Sequence, residues 1–87
     1  MDDEQLWLVE RTYTDKGLVS LMYATTDGER CLHKQRSMNM LRQGADVTAA
    51  TEADPADLES VEDAETRERY ASEATKMAEQ HDPDEAV

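Results

Sequence analysis

Eighty-seven residues with a net charge of -12 and 38% apolar residues make one small domain, near the lower end of what a single apolar core sustains. No apolar run approaches the ~20 residues of a membrane span, and the start, MDDEQLW, is acidic where a signal peptide is basic and then apolar, so the expected compartment is the cytoplasm. Cys31 is the only cysteine, which excludes an internal disulfide framework and suits a reducing compartment.

The stretch from Gln5 to Arg36 reads as three strand-like runs, QLWLVERTYT, LVSLMYATT and ERCLHKQR, separated by DKG and DG. Asp15-Lys16-Gly17 suits a three-residue hairpin loop with Gly17 left-handed, and Asp27-Gly28 a two-residue loop of the primed type. Aligning Thr14 with Leu18 predicts Tyr13 opposite Val19, Arg11 opposite Leu21 and Val9 opposite Tyr23. The second turn then sets Tyr23 opposite Leu32 and Met22 opposite His33. One face of this meander carries Trp7, Val9, Tyr13, Val19, Leu21, Tyr23 and Leu32. The other carries Leu6, Leu8, Leu18, Met22, Ala24 and Cys31, mixed with Glu10, Ser20 and His33.

Beyond the meander, Ser37 caps a predicted short helix from Met38 to Gln43, with Met38 and Leu41 toward the sheet and Gly44 ending it. Residues 45–52 alternate and read either as a short fourth strand or as loop. Asp54 precedes Pro55, so residues 55–60 read as a turn or two of helix with Leu58 and Val61 inward. Asp63 caps the strongest predicted helix, Ala64 to Gln80. Tyr70, Ala71, Ala74, Met77, Ala78 and His81 form its narrow apolar stripe, and Glu65 and Arg69 stand four apart as an ion pair. Pro83 stops the helix, and residues 82–87 are expected to fray. The predicted fold class is α+β: an antiparallel meander of three strands, four if residues 45–52 join it, with the C-terminal helix packed on one face. Its segments are 5–36, 37–62, 63–81 and the tail 82–87.

Charge is unevenly divided. Residues 1–45 hold six bases and seven acids, residues 46–87 three bases and fourteen acids, and Arg30 to Gly44 contains no acid at all. The chain has no Ile or Phe, its 21 acids face 9 bases, and Arg outnumbers Lys six to three. A dense carboxylate surface of this kind suits molar salt, where the Debye length shrinks to ~3 Å and self-repulsion fades. Together with the run VTAATEADPADLESVEDAETRERYASEATKMAEQHDPDEAV, this composition resembles the small uncharacterised acidic cytoplasmic proteins of halophilic archaea, a resemblance that implies no activity.

Nothing in the sequence assembles a reaction. Gly17, Gly28 and Gly44 each serve a turn or helix end, so no phosphate loop can be built from them. Cys31 and His33 share a strand face, but only His81 and scattered carboxylates remain to complete a thiol or zinc site, with no metal-ligand spacing. The carboxylates of Glu62, Asp63, Asp82, Asp84 and Glu85 read as solvated surface. No enzyme activity, cofactor or metal is therefore expected. The preferred reading is a small non-enzymatic protein-binding or adaptor domain of a halophilic cytoplasm, self-associating as a homodimer. Its contact surface is Leu6, Leu8, Leu18 and Met22 on the sheet face the helix leaves bare, helped by an open edge on the first strand. The alternative is a nucleic-acid-associated regulator using Arg30, Lys34, Arg36 and Arg42 of the basic segment 30–44. Against that alternative, the same bases are expected to pair with the protein's own acidic helix.

Overall fold

A computed structural model describes residues 3–13, 17–37 and 47–87. The predicted helix from Met38 to Gln43, with Met38, Leu41, Arg42 and the Gly44 stop, lies outside the described residues. So does the Asp15-Lys16 part of the first loop.

The three strand-like runs form β1 (Glu4–Tyr13), β2 (Leu18–Ala24) and β3 (Arg30–Ser37). Gly17 and Gly28 both take a φ of +72°, the left-handed region that a glycine enters without steric cost. The second turn is nevertheless not of the primed type, because Asp27 keeps a negative φ. The amide of Gly28 donates to the Thr25 carbonyl at 2.9 Å, and that of Thr25 to the Arg30 carbonyl at 3.0 Å, giving a four-residue loop. The carboxylate of Asp27 holds it by accepting from the Thr25 hydroxyl and, at 2.9 Å, from the Glu29 amide.

Tyr13 pairs with Val19, Arg11 with Leu21, Tyr23 with Leu32 and Met22 with His33, as the turns predict. The pairing of Val9 with Tyr23 does not form. A β-bulge between Leu8 and Glu10 leaves Val9 as the extra residue and puts Leu8 opposite Tyr23. Because strand side chains alternate, this single insertion exchanges the first half of β1 between the two faces. Leu6 and Leu8 join Val19, Leu21, Tyr23 and Leu32 in one cluster, while Trp7 moves to the side of Ala24 and Cys31.

The sheet has five strands, two more than the meander supplies, in the order β4-β1-β2-β3-β5 and antiparallel throughout. β4 (Ala50–Ala53) comes from the ambiguous segment and pairs with β1; β5 (Glu59–Ser60) pairs with Arg30 and Cys31 of β3. β4 covers the outer edge of the first strand from Glu4 to Trp7, while from Val9 to Tyr13 no described strand pairs with that edge. Between β4 and β5 a single 3-10 turn (Pro55–Asp57) replaces the expected helix, capped by the Asp54 carboxylate, which accepts from the Ala56 amide at 2.9 Å. Leu58 and Val61 point inward as predicted. β4 and β5 lie about 19 Å apart across a flat sheet, and residues 54–58 join them, which requires a rolled sheet. The roll is visible in the side chains too. Lys34 on β3 reaches Thr51 on β4 with Nζ and Oγ1 3.0 Å apart, across two intervening strands.

The helix α1 (Ala64–Gln80) has the predicted bounds, and Asp63 caps it by accepting from the Thr66 amide at 2.9 Å. It packs on the face of Trp7, Ala24 and Cys31. Ala74, fully buried, lies in one cluster with Trp7, Ala49 and Ala50, and Tyr70 in another with Ala24, Cys31 and Val61. The alanine stripe permits a close approach, and Gly28 completes it: a Cβ there would stand 2.1 Å from the Arg67 carbonyl oxygen. Arg69 sits 3.6 Å from Glu10 on β1 rather than pairing with Glu65, so its ion pair ties helix to sheet.

The C-terminal tail does not fray. The amides of Ala49 and Ala50 donate to the carbonyls of Glu85 (2.8 Å) and Pro83 (3.0 Å), and the Val87 amide to Val47 (2.9 Å). Val87 packs against two of the apolar clusters. The physical reason is backbone accounting: residues 47–50 bring polar groups to the edge of the core, and those groups need partners.

Candidate interaction surface

The four apolar residues expected to form a contact patch do not share a surface. Leu6 and Leu8 are 0% and 5% exposed, inside the main cluster, because the bulge turns them inward. Leu18 and Met22 are half-buried and lie on the opposite face, the one the helix covers. Burying Leu6 with Val19 and Leu21 contributes about 1.5–3 kcal/mol per side chain, which makes these residues core in this chain. Sequence reasoning missed this because a bulge leaves no mark in the period-two pattern.

The basic segment behaves differently. Arg30, Lys34 and Arg36 alternate along β3 on the face away from α1, in register with Leu32. Arg11 faces Lys34 across Leu21, and Tyr13 faces Arg36 across Val19, so β1 adds a cation and an aromatic ring to the same end of the sheet. The signal in the sequence is the register itself, which sets Arg11 and Tyr13 opposite Leu21 and Val19. Tyr13 is 61% exposed, the one large apolar side chain to stand out among the described residues. Arg11 is exposed, and Lys34 and Arg36 are half-buried. Arg30 lies at the other end of β3, next to β5, and Arg42 is not among the described residues.

The electrostatics of this end follow first from burial and then from the neighbouring cations. Burial, and then the neighbouring Arg36, hold the Lys34 ammonium below its usual pKa. That ammonium lies 5.7 Å from the centre of the Tyr23 ring. Burial pushes the Tyr23 hydroxyl up, an effect Arg36 and Arg11 partly offset. Arg36 donates from Nη1 to the Gln35 carbonyl at 3.1 Å. Among the described residues, none of Arg11, Arg30, Lys34 and Arg36 makes an ion pair with α1, whose cross-element ion pair is Arg69 with Glu10. Among described strand residues, Glu4 is the acid on this face, at the far end of β1.

The remaining sequence candidates stay apart. Burial, and then Glu59, push the Cys31 thiol above its ordinary pKa, which disfavours the thiolate a nucleophile needs. His33 is exposed two residues on, and His81 instead contacts Glu85 near the tail. Asp63 is occupied as a helix cap. No group of three or more His, Cys, Asp or Glu side chains among the described residues is placed to hold a metal ion. No described helix is long and apolar enough to cross a membrane.

Fold and surface together define, among the described residues, a small α+β protein, an antiparallel five-stranded sheet backed by the C-terminal helix, with a cationic rim on an otherwise acidic molecule. The chain belongs to DUF7967, a family of unknown function, whose sequence profile matches residues 1–87. No curated protein and no solved structure matches it.

Proposed function

We propose that this protein is a non-enzymatic binding module, an adaptor that holds an acidic segment of a partner protein at the rim formed by Arg11, Tyr13, Lys34 and Arg36. The observation that carries this reading is the gathering of three cations beside an exposed tyrosine in a chain of net charge -12, without neutralisation by the protein's own helix. The acid-rich remainder of the surface suits a cytoplasm of high salt, as in halophilic archaea, where short screening lengths keep such a surface from repelling itself. Self-association is no part of this reading, since Leu6 and Leu8 of the apolar patch that suggested it are core.

A nucleic-acid ligand is the second reading, and Tyr13 beside Arg11 favours it, because an exposed ring and a guanidinium make a stacking site for an unpaired base. A polyanion of any length, however, would run from the small rim onto the acidic surface around it. A short acidic peptide segment would not. The two readings separate in an affinity pull-down with and without nuclease, using the native chain and an Arg11→Glu/Arg36→Glu variant. A partner that survives nuclease and is lost with the variant supports the adaptor reading. A partner indifferent to charge reversal ends it, and one removed by nuclease puts the nucleic-acid reading in its place.

A further inference from the structure

The outer edge of β3 is paired only at its start. β5 covers Arg30 and Cys31 and then ends, and beyond Cys31 no described strand lies along that edge. In an antiparallel ladder alternate residues turn their backbone groups to opposite sides. Thr25 bonds to Arg30 on the β2 side and Val61 to Glu29 on the outer side, so by this alternation the amides of His33 and Gln35 point outward. Both residues are exposed. Between and beside them Lys34 and Arg36 stand half-buried on the face away from α1, Lys34 with its ammonium on Thr51 of β4. The result is a short row of outward backbone groups, the Gln35 carbonyl among them already accepting from Arg36 Nη1, flanked by positive charge in an otherwise acidic protein.

We propose that this edge takes the partner as an added β-strand: an extended acidic segment pairs its backbone with His33 and Gln35 and sets alternate carboxylates against Lys34 and Arg36. This rests on the reading that the partner is an acidic protein segment, and adds how it is held. Strand addition supplies affinity through the main chain and selectivity through every second side chain. The charge also decides against a second copy of this chain. Two β3 edges meeting about a two-fold axis would bring both pairs of Lys34 and Arg36 onto one ribbon, and like charges across strands repel.

The test is amide hydrogen exchange, followed by NMR on the whole chain, with a short peptide alternating glutamate and valine as probe and a thymidine oligonucleotide as comparison. The peptide is expected to slow exchange at His33 and Gln35 by about tenfold or more, the effect of a new hydrogen bond with its neighbours. Gln35→Pro, which removes an outward N–H and no ladder bond, is expected to weaken the peptide about tenfold while the circular dichroism stays native. Peptide binding that leaves both amides exchanging freely overturns strand addition and leaves the adaptor reading intact. Binding of the oligonucleotide but not the peptide overturns both. Protection of the two amides in the free protein that fades on dilution means that a second copy occupies the edge, which also overturns the proposal.

Discussion

Gly28 and Gly17 share a φ of +72° but not a neighbourhood. Around Gly17 a Cβ would meet open space, so Gly17→Ala is expected to cost about 1 kcal/mol, the strain of a left-handed alanine. At Gly28 the same Cβ would also press on the backbone of Arg67 and Ala71, so Gly28→Ala is expected to cost about 3 kcal/mol. Urea unfolding of the two variants measures the difference; equal losses would mean that the helix does not press on this turn. Asp27 and Asp63 carry the pH dependence at this scale. Hydrogen bonds, first from the Thr25 and Thr66 hydroxyls and then from backbone amides, hold both carboxyls below their ordinary 3.8. A depressed folded-state pKa adds stability that is present above the unfolded value and lost as pH falls through the folded one. Their contribution should accordingly fade as pH falls below 3.8 and be gone only once pH is below the lower folded-state values. Melting temperatures of the native chain and of Asp27→Asn/Asp63→Asn, taken from about pH 5 to about pH 2, should converge on acidification, because asparagine keeps the acceptor and loses the titration.

At the scale of elements, the bulge and the tail matter most. The bulge at Val9 allows β1 to serve two layers, sending Leu6 and Leu8 into the core of the rolled sheet while Trp7 meets Ala74 under the helix. Its partner β4 is held from the other side by the C-terminal residues, which bond to Val47, Ala49 and Ala50. Removal of residues 82–87 is therefore expected to lower stability by about 2 kcal/mol, through the exposed amides and the lost packing of Val87. A frayed tail would leave the unfolding midpoint where it was, which denaturant titration of the truncated chain distinguishes at once. Ordering of the tail was hidden in the sequence because DPDEAV has neither apolar periodicity nor strand propensity. Its bonds are made by backbone, which composition does not reveal.

For the whole molecule the dominant quantity is the charge of -12. Most of the described acids lie on exposed positions of α1, the turns and the tail, while the rim gathers Arg11, Lys34 and Arg36 at one end of the sheet. Screening acts on these two regions in opposite senses. At about 0.01 M salt the Debye length is about 30 Å, longer than the helix-to-sheet distance, and at about 1 M it is about 3 Å. Lowering salt should thus depress the melting temperature through repulsion among carboxylates, and the same dilution should tighten an acidic peptide at the rim. A melting temperature unchanged by dilution from molar to millimolar salt would remove the argument for a high-salt cytoplasm.

Some features are written in local chemistry and were legible without coordinates. Asp63 caps a helix that runs from Ala64 to Gln80, Gly17 and Gly28 turn the chain left-handed, and the turns set most of the β1-β2 and β2-β3 register. Each depends on residues within a few positions of one another, where the sequence acts directly. Other features depend on contacts between distant residues. The extra residue at Val9 forms because Leu6 and Leu8 gain more by facing Val19 and Leu21 than Trp7 and Val9 would, and because Trp7 is needed beside Ala49, Ala50 and Ala74. The pairing of β4 with β1, the short β5 and the docked tail satisfy backbone groups that only the assembled sheet brings together. The sequence by itself determined where β1, β2, β3, the turns between them and α1 lie, and which segment is basic. Tertiary packing decided which face the first half of β1 presents, because a one-residue slip in a strand reverses every position before it, and that reversal turned Leu6 and Leu8 of a supposed contact patch into core.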